Sequence, residues 1–171
     1  MPAQAEELTF RSVDLAADEE FLYELYTTTR DDLTSLGIDP QQLGGLMRMQ
    51  YTAQKESYLA AYPGAEHKII SLSGVPVGRM IVQRGKREIL FVDLAILPEY
   101  RNRGIGSRLI LDRIREAEDA NGVLTFHVLK TNPAINLYLR LGCAITGDAG
   151  MYYRMEWRPN FPESAADTAV K

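Results

Sequence analysis

Apolar positions along the chain switch between two periods, and the switches mark its elements. After a leader over residues 1–6 without periodicity, expected to be flexible, Leu8 to Val13 alternate apolar and polar as a half-buried strand does. Asp18 then stands where a cap would precede a helix with Phe21, Leu22, Leu25 and Tyr26 on one face and Glu19 and Glu20 in its first turn. Gly37 interrupts this pattern. Asp39-Pro40 has the order of a second helix start, and Leu43, Leu46, Met47, Tyr51, Gln54 and Tyr58 share a stripe that runs down to Pro63-Gly64. Alternation returns over His67–Leu72 and Val75–Gln83, joined as a hairpin at Ser73-Gly74, and Arg84-Gly85-Lys86 turns the chain again.

The stretch Ile89 to Leu97 is apolar enough for a strand buried on both faces, and Pro98 stops it. Ile105, Leu109, Ile110, Ile114 and Ala117 then recur at helical spacing until Asn121-Gly122 ends the helix. Val123–Leu129 reads as another apolar strand, and Asn132-Pro133 opens a short helix, Ala134–Leu141, closed by Gly142. Cys143 to Trp157 reads as a hairpin about Gly147-Asp148-Ala149-Gly150, with Met151, Tyr153, Met155 and Trp157 toward one side. The polar, proline-containing residues 159–171 are expected to be a disordered tail. Residues 7–158 are thus expected to form one mixed α/β domain.

Length and composition bound this picture. A chain of 171 residues, 46% hydrophobic and 25% charged, can bury one good core. Its net charge of −4 argues against a general nucleic-acid or membrane-surface binder. The basic charge is nevertheless concentrated: from Arg79 to Arg115 nine Arg or Lys face four acids, a local net of +5 that suits a polyanionic ligand. A single cysteine, Cys143, excludes an internal disulfide, a cysteine zinc site and a dithiol redox motif, and no metal is expected. With no apolar stretch of membrane-spanning length and no signal-peptide pattern at the N-terminus, a cytoplasmic location is expected.

The most informative segment joins the apolar strand to the helix after it, through Arg101-Asn102-Arg103-Gly104-Ile105-Gly106-Ser107. A helix start collects anions because its first N–H groups lack partners. Glycines let a ligand approach the backbone, and Arg101 and Arg103 add positive charge, so phosphate is the expected ligand. A P-loop would require Lys and Ser/Thr after its second glycine and a dinucleotide fold a third glycine; Ser107-Arg108 fits neither.

The spelling Arg-x-x-Gly-x-Gly after a strand ending in Pro-Glu-Tyr resembles the coenzyme A pyrophosphate loop of the GNAT superfamily of N-acetyltransferases. A second stretch, Thr131 to Gly142, is similar to that family's segment around a strand-following Asn and a Leu-Tyr pair, here Asn132 and Leu137-Tyr138. Cys143 departs from the pattern, standing where the family usually has Phe. The element order agrees over Leu8 to Trp157. The resemblance implies the GNAT fold, a mixed, mostly antiparallel sheet of about seven strands with four helices, and transfer of acetyl from acetyl-coenzyme A to an amine.

The resemblance also implies roles. Coenzyme contacts fall on the main chain at Leu94, Ala95 and Ile96, on Arg101, Asn102, Arg103, Gly104, Ile105, Gly106 and Ser107, and on Asn132, Ala134 and Tyr138. Tyr138 would meet the leaving sulfur, and a backbone N–H near Leu94 or Ala95 would serve the developing oxyanion. For the base two residues stand open: His127, at the position where relatives acting on N-terminal alanines carry a glutamate, and Asp93, the one charge in a nine-residue apolar run, whose burial demands a partner or a cleft. The acceptor, a small-molecule or peptide amine, would be lined from Thr28, Arg30, Gln50, Tyr51, Gln54, Tyr58, Tyr152 and Tyr153. The final hairpin is a candidate for pairing with a second copy. A non-catalytic acyl-coenzyme A sensor on the same fold, and a partner-binding protein that merely inherited it, stand as the alternatives.

Overall fold

The computed structural model describes residues 6–159; most of the expected leader and the whole of residues 160–171 lie outside them. In chain order the elements are β1 (Leu8–Ser12), α1 (Glu19–Thr27), α2 (Asp31–Thr34), α3 (Pro40–Ala61), β2 (Glu66–Leu72), β3 (Val75–Arg84), β4 (Glu88–Ile96), a 3-10 turn (Pro98–Tyr100), α4 (Ile105–Asp119), β5 (Val123–Leu129), α5 (Ile135–Arg140), β6 (Ala144–Ala149) and β7 (Tyr152–Trp157). The strands form one seven-stranded sheet in the order β1-β2-β3-β4-β5-β7-β6, with β4 and β5 parallel. The four-residue α2 adds a fifth helix, too short to leave a period in the sequence.

Two compact units divide the chain. The first comprises the residues up to Ile81 with Asp93–Arg101, and the second Val82–Val92 with the residues from Asn102 on. In the first, β1 and β2 pair antiparallel from Leu8↔Leu72 to Ser12↔Lys68, and the joining turn of β2 and β3 puts Ser73 at φ 48° and Gly74 at φ 83°. Leu22, Tyr26, Tyr51 and Ile69 form a buried cluster, with the rings of Tyr23 and Tyr26 5.4 Å and 5.5 Å from that of Tyr51. Asp39 caps α3 as its position predicts, its carboxylate accepting from the N–H groups of Gln41 and Gln42. Asp18 does not cap α1. Its buried carboxylate instead accepts from both guanidinium ends of Arg11, at 2.5 Å and 2.7 Å, and from the N–H of Asp14. A full positive charge outcompetes the weak positive end of a helix.

In the second unit α4 packs on β5 through the five predicted positions, Ile105, Leu109, Ile110, Ile114 and Ala117, all buried. Its C-terminus closes as a Schellman turn: Asn121 takes φ 48° and Gly122 N–H reaches back to the Ala117 carbonyl at 2.8 Å. The β6–β7 hairpin turns at Gly150-Met151 rather than over Gly147–Gly150; Gly147 belongs to β6, where the register slips at a bulge between Ile145 and Gly147. Along β7, Met155 is fully buried while Met151 in the turn is 69% exposed, so the expected one-sided stripe holds only inside the strand. Glu156, also buried, is held between Arg154 at 2.9 Å and Arg158 at 2.8 Å.

Candidate functional site

The phosphate-type loop lies in the second unit. Asn102 and Gly104 both adopt left-handed backbone, φ 59° and 79°, in the turn that leads into α4. A Cβ on Gly104 would meet nothing within 4 Å, so it is the dihedral and not crowding that asks for glycine. The first intrahelical bond runs from Arg108 N–H to the Gly104 carbonyl, which leaves the amides of Ile105, Gly106 and Ser107 outside the helical ladder. No side chain caps this end and no acid occupies its first turn. Three free amides at the positive end of a 15-residue helix fit a diphosphate.

Tyr138 belongs to the same unit. On α5 its ring packs edge-on against Phe126 of β5, centroids 5.0 Å apart. Burial, and secondarily Cys143, raises the phenol above its ordinary value, so the hydroxyl keeps its proton and remains a donor. Asn132 shapes the approach to α5: its Oδ1 accepts from Ala134 N–H at 2.9 Å. Cys143 is buried and its thiol is pushed up to about 12 by desolvation, leaving it inert as a nucleophile near neutrality.

His127 is exposed between buried Phe126 and Val128, opposite Arg154 of β7. Alternation along β5 puts it on the face away from Phe126, so strand β5 stands between the imidazole and the Phe126–Tyr138 contact. The parallel pairing of β4 with β5 covers Glu88↔Val123 to Phe91↔Phe126, ending one residue before His127, while β5 continues beside β7 to Leu129↔Tyr152.

Apart from Tyr152 and Tyr153, which begin β7 in the second unit, the remaining predicted residues belong to the first. Asp93 has a partner, as its burial required: its Oδ2 accepts from Arg79 Nη2 at 2.5 Å. Leu94, Ala95 and Ile96 end β4, and here a glycine sets the geometry. A Cβ on Gly78 of β3 would lie 2.5 Å from the Ala95 carbonyl oxygen and 3.3 Å from Ile96 Cα, so only glycine admits this path of β4. Arg101 turns back on its own unit, donating from Nε to the Ile96 carbonyl at 2.8 Å and from Nη2 to Thr28 at 3.3 Å. Arg30 is likewise engaged, with Asp32, Tyr26 and Gln50, and Tyr51 is a core residue whose hydroxyl donates to Glu19. Sequence reasoning passed over Gly78 and counted Arg79 only as one of the concentrated basic residues. A glycine and an arginine side by side inside an apolar strand were the available signal, since the first marks close backbone approach and the second a buried charge with a partner.

Residues 58–142 match the acetyltransferase (GNAT) domain. The PaiA N-acetyltransferase from Thermoplasma acidophilum, solved in complex with coenzyme A, superposes with a TM-score of 0.65 at 15% identity, over 89% of this chain and 99% of that one. The ribosomal-protein-S18-alanine N-acetyltransferase from Escherichia coli does so with a TM-score of 0.60 at 17% identity, over 91% and 96%. A spermidine N-acetyltransferase chimera from Vibrio cholerae and hSSAT gives 0.59 at 18%, over 88% and 95%. At these identities the likeness is one of fold. Compared by sequence with curated proteins, the chain matches none. The chain belongs to the GNAT family of acetyltransferases. Among the described residues no helix is long and apolar enough to cross a membrane, and no group of His, Cys, Asp and Glu is arranged to hold a metal ion.

Proposed function

We propose that this protein transfers acetyl from acetyl-coenzyme A directly to an amine of a small molecule or peptide. The observation that carries this reading is the start of α4, where left-handed Asn102 and Gly104 lead into uncapped amides from Ile105 to Ser107 with no competing acid. The diphosphate of the donor would lie on those amides, with Arg103 adding charge. Arg101, whose Nε and Nη2 serve Ile96 and Thr28, would act mainly by fixing the turn that follows β4. Leu94, Ala95 and Ile96 would offer main-chain groups to the donor's arm and to the developing oxyanion, a role indifferent to their side chains.

The attacking amine must first be neutral. With an ordinary lysine-like pKa of about 10.4 only ~1 molecule in 2,500 is uncharged at pH 7, a handicap of about 4.6 kcal/mol that a base relieves. Of the two candidates we favour His127, exposed on β5, because an Oδ of Asp93 is already committed to Arg79. Base and acid would then work from opposite sides of the strand. The departing thiolate, ordinarily near pKa 8.5, could take a proton from even an unperturbed phenol only about 2 kcal/mol uphill, and Tyr138 is raised further. Its part is therefore a hydrogen bond that tightens as carbon and sulfur separate. Inert Cys143 supports direct transfer rather than a covalent acyl-enzyme.

The test combines binding and turnover. Coenzyme A at 100 times its dissociation constant should add about 2.7 kcal/mol of stability, read as a rise of roughly 5–10 °C in Tm. Acetyl-coenzyme A with a panel of amines should release free thiol, and Tyr138→Phe should lower kcat about 10- to 100-fold with little change in donor affinity. Binding without turnover for any amine would instead identify a sensor. Absence of binding by folded protein would end the reading altogether.

A further inference from the structure

A cleft in the first unit, whose lining includes Tyr51 and Tyr58 from the residues expected beside the acceptor, also carries buried polar atoms without partners. Leu15, Leu59 and Ile81 contribute apolar walls, and His67 of β2 and Arg79 of β3 contribute the floor. Its volume is about 340 Å³ with open solvent counted in, and the part of it that can enclose a group is about the size of one water. Arg79 is nine-tenths buried. Its Nη2 is bound to Asp93, but its Nε–H is buried with no acceptor, and so is His67 Nε2.

A buried donor left without an acceptor costs about 1–3 kcal/mol. Arg79 Nε–H is such a donor, and His67 Nε2 is a second buried polar atom without a partner on a residue of the same lining, so a polar atom of a ligand suits this place. A single carboxylate oxygen is of a size with that enclosed space. An ionised acceptor bonds a guanidinium about twice as strongly as a neutral one does. Lys55 adds a second cation to the wall, with its ammonium 3.1 Å from Glu19. The apolar walls, together with the ring of Tyr58, suit a short hydrocarbon or aromatic stem.

We propose that this cleft binds a small carboxylate with an apolar stem, one carboxylate oxygen accepting hydrogen bonds from Arg79 Nε and His67 Nε2. Burial and the neighbouring Arg79 both lower the His67 pKa, which favours a neutral imidazole, and the proposed bond calls for the tautomer with its hydrogen on Nε2. The site is confined to the first unit; since Tyr51 and Tyr58 are also expected beside the acceptor, its test reads carboxylate binding alone, without donor or turnover.

The experiment is an NMR titration of the full chain, following the arginine Nε–H resonances with butyrate, phenylacetate and the isosteric butyramide at constant ionic strength. Arg79→Lys assigns the signal. The expected result is a saturable shift of the Arg79 Nε–H with both carboxylates, at least tenfold weaker for the amide, and abolished in Leu59→Trp, which narrows the mouth without touching the donors. Equal responses to amide and carboxylate would overturn the proposal, as would an unmoved signal, which would mean an ordered water alone fills the floor. A shift that survives in Leu59→Trp would overturn it too, since it would mean bulk ion effects.

Discussion

Replacing Gly78 with alanine is the sharpest test of how the chain shapes the end of β4. The new Cβ would lie 2.5 Å from the Ala95 carbonyl oxygen, where ordinary contact begins near 3.4 Å, so backbone must recede by about 0.9 Å. The obstruction is main chain and cannot rotate away. Overpacking of this kind costs typically 1–3 kcal/mol, and the bond from Leu97 N–H to the Val77 carbonyl, 2.9 Å long beside the clash, stands to lose about 1 kcal/mol more. A total of about 2–4 kcal/mol corresponds to a fall of roughly 5–15 °C in Tm for a chain of this size. Urea unfolding of Gly78→Ala measures it directly, with Gly45→Ala as the control. Gly45 lies in α3 with nothing within 4 Å of an added Cβ, so there the same change should stabilise by about 0.5–1 kcal/mol. Opposite signs at the two sites are required. A Gly78→Ala protein as stable as wild type would refute the close approach. In an active preparation the variant should also raise KM for acetyl-coenzyme A, because the main chain at Leu94 to Ile96 moves with the Ala95 carbonyl.

Three further outcomes are expected. At pH 8 a thiol of pKa about 12 is ionised in about 1 molecule in 10⁴, against roughly one in four for an ordinary cysteine, so iodoacetamide should label Cys143 in the folded protein about 10³-fold more slowly than in urea; equal rates would refute its burial. His67 has a folded pKa below its unfolded value near 6.5, so the unfolded chain binds the extra proton first. Stability should therefore fall as pH drops below about 6.5, by at most about 1.4 kcal/mol per pH unit, and His67→Gln should flatten the Tm profile over that range. Gly104→Ala should cost about 1–2 kcal/mol through its left-handed dihedral alone, while Gly104→Asn, a residue that tolerates that region, should cost less; denaturant midpoints separate the two.

Much of the fold was legible because its signals are local. The α4 stripe, the Ser73-Gly74 hairpin, the Asp39 cap and the Asn121-Gly122 stop each depend on residues a few positions apart, and each appears where the pattern put it. Apart from α2, too short to show a period, the failures come from a partner on a neighbouring element. Asp18 reads as a cap until Arg11 arrives from β1, and Gly147 reads as a turn until β7 pairs with it across a bulge. Arg79 illustrates the same limit in the first unit. Its neighbours along the chain are apolar, and nothing in the local pattern says that a carboxylate fourteen positions later will meet it. Candidate residues of the second unit were easier to place, since the Gly104 turn and the Asn132 bond are contiguous motifs.

The boundaries of the two units carry a consequence for biosynthesis. Neither unit is a continuous piece of polypeptide: Val82–Val92 is lent to the second before Asp93–Arg101 returns to complete the first. The first unit therefore has all its residues only once the chain reaches Arg101, and no truncation at any single peptide bond isolates either half intact. Engineers wishing to transplant one half would need a rewired connectivity rather than a cut.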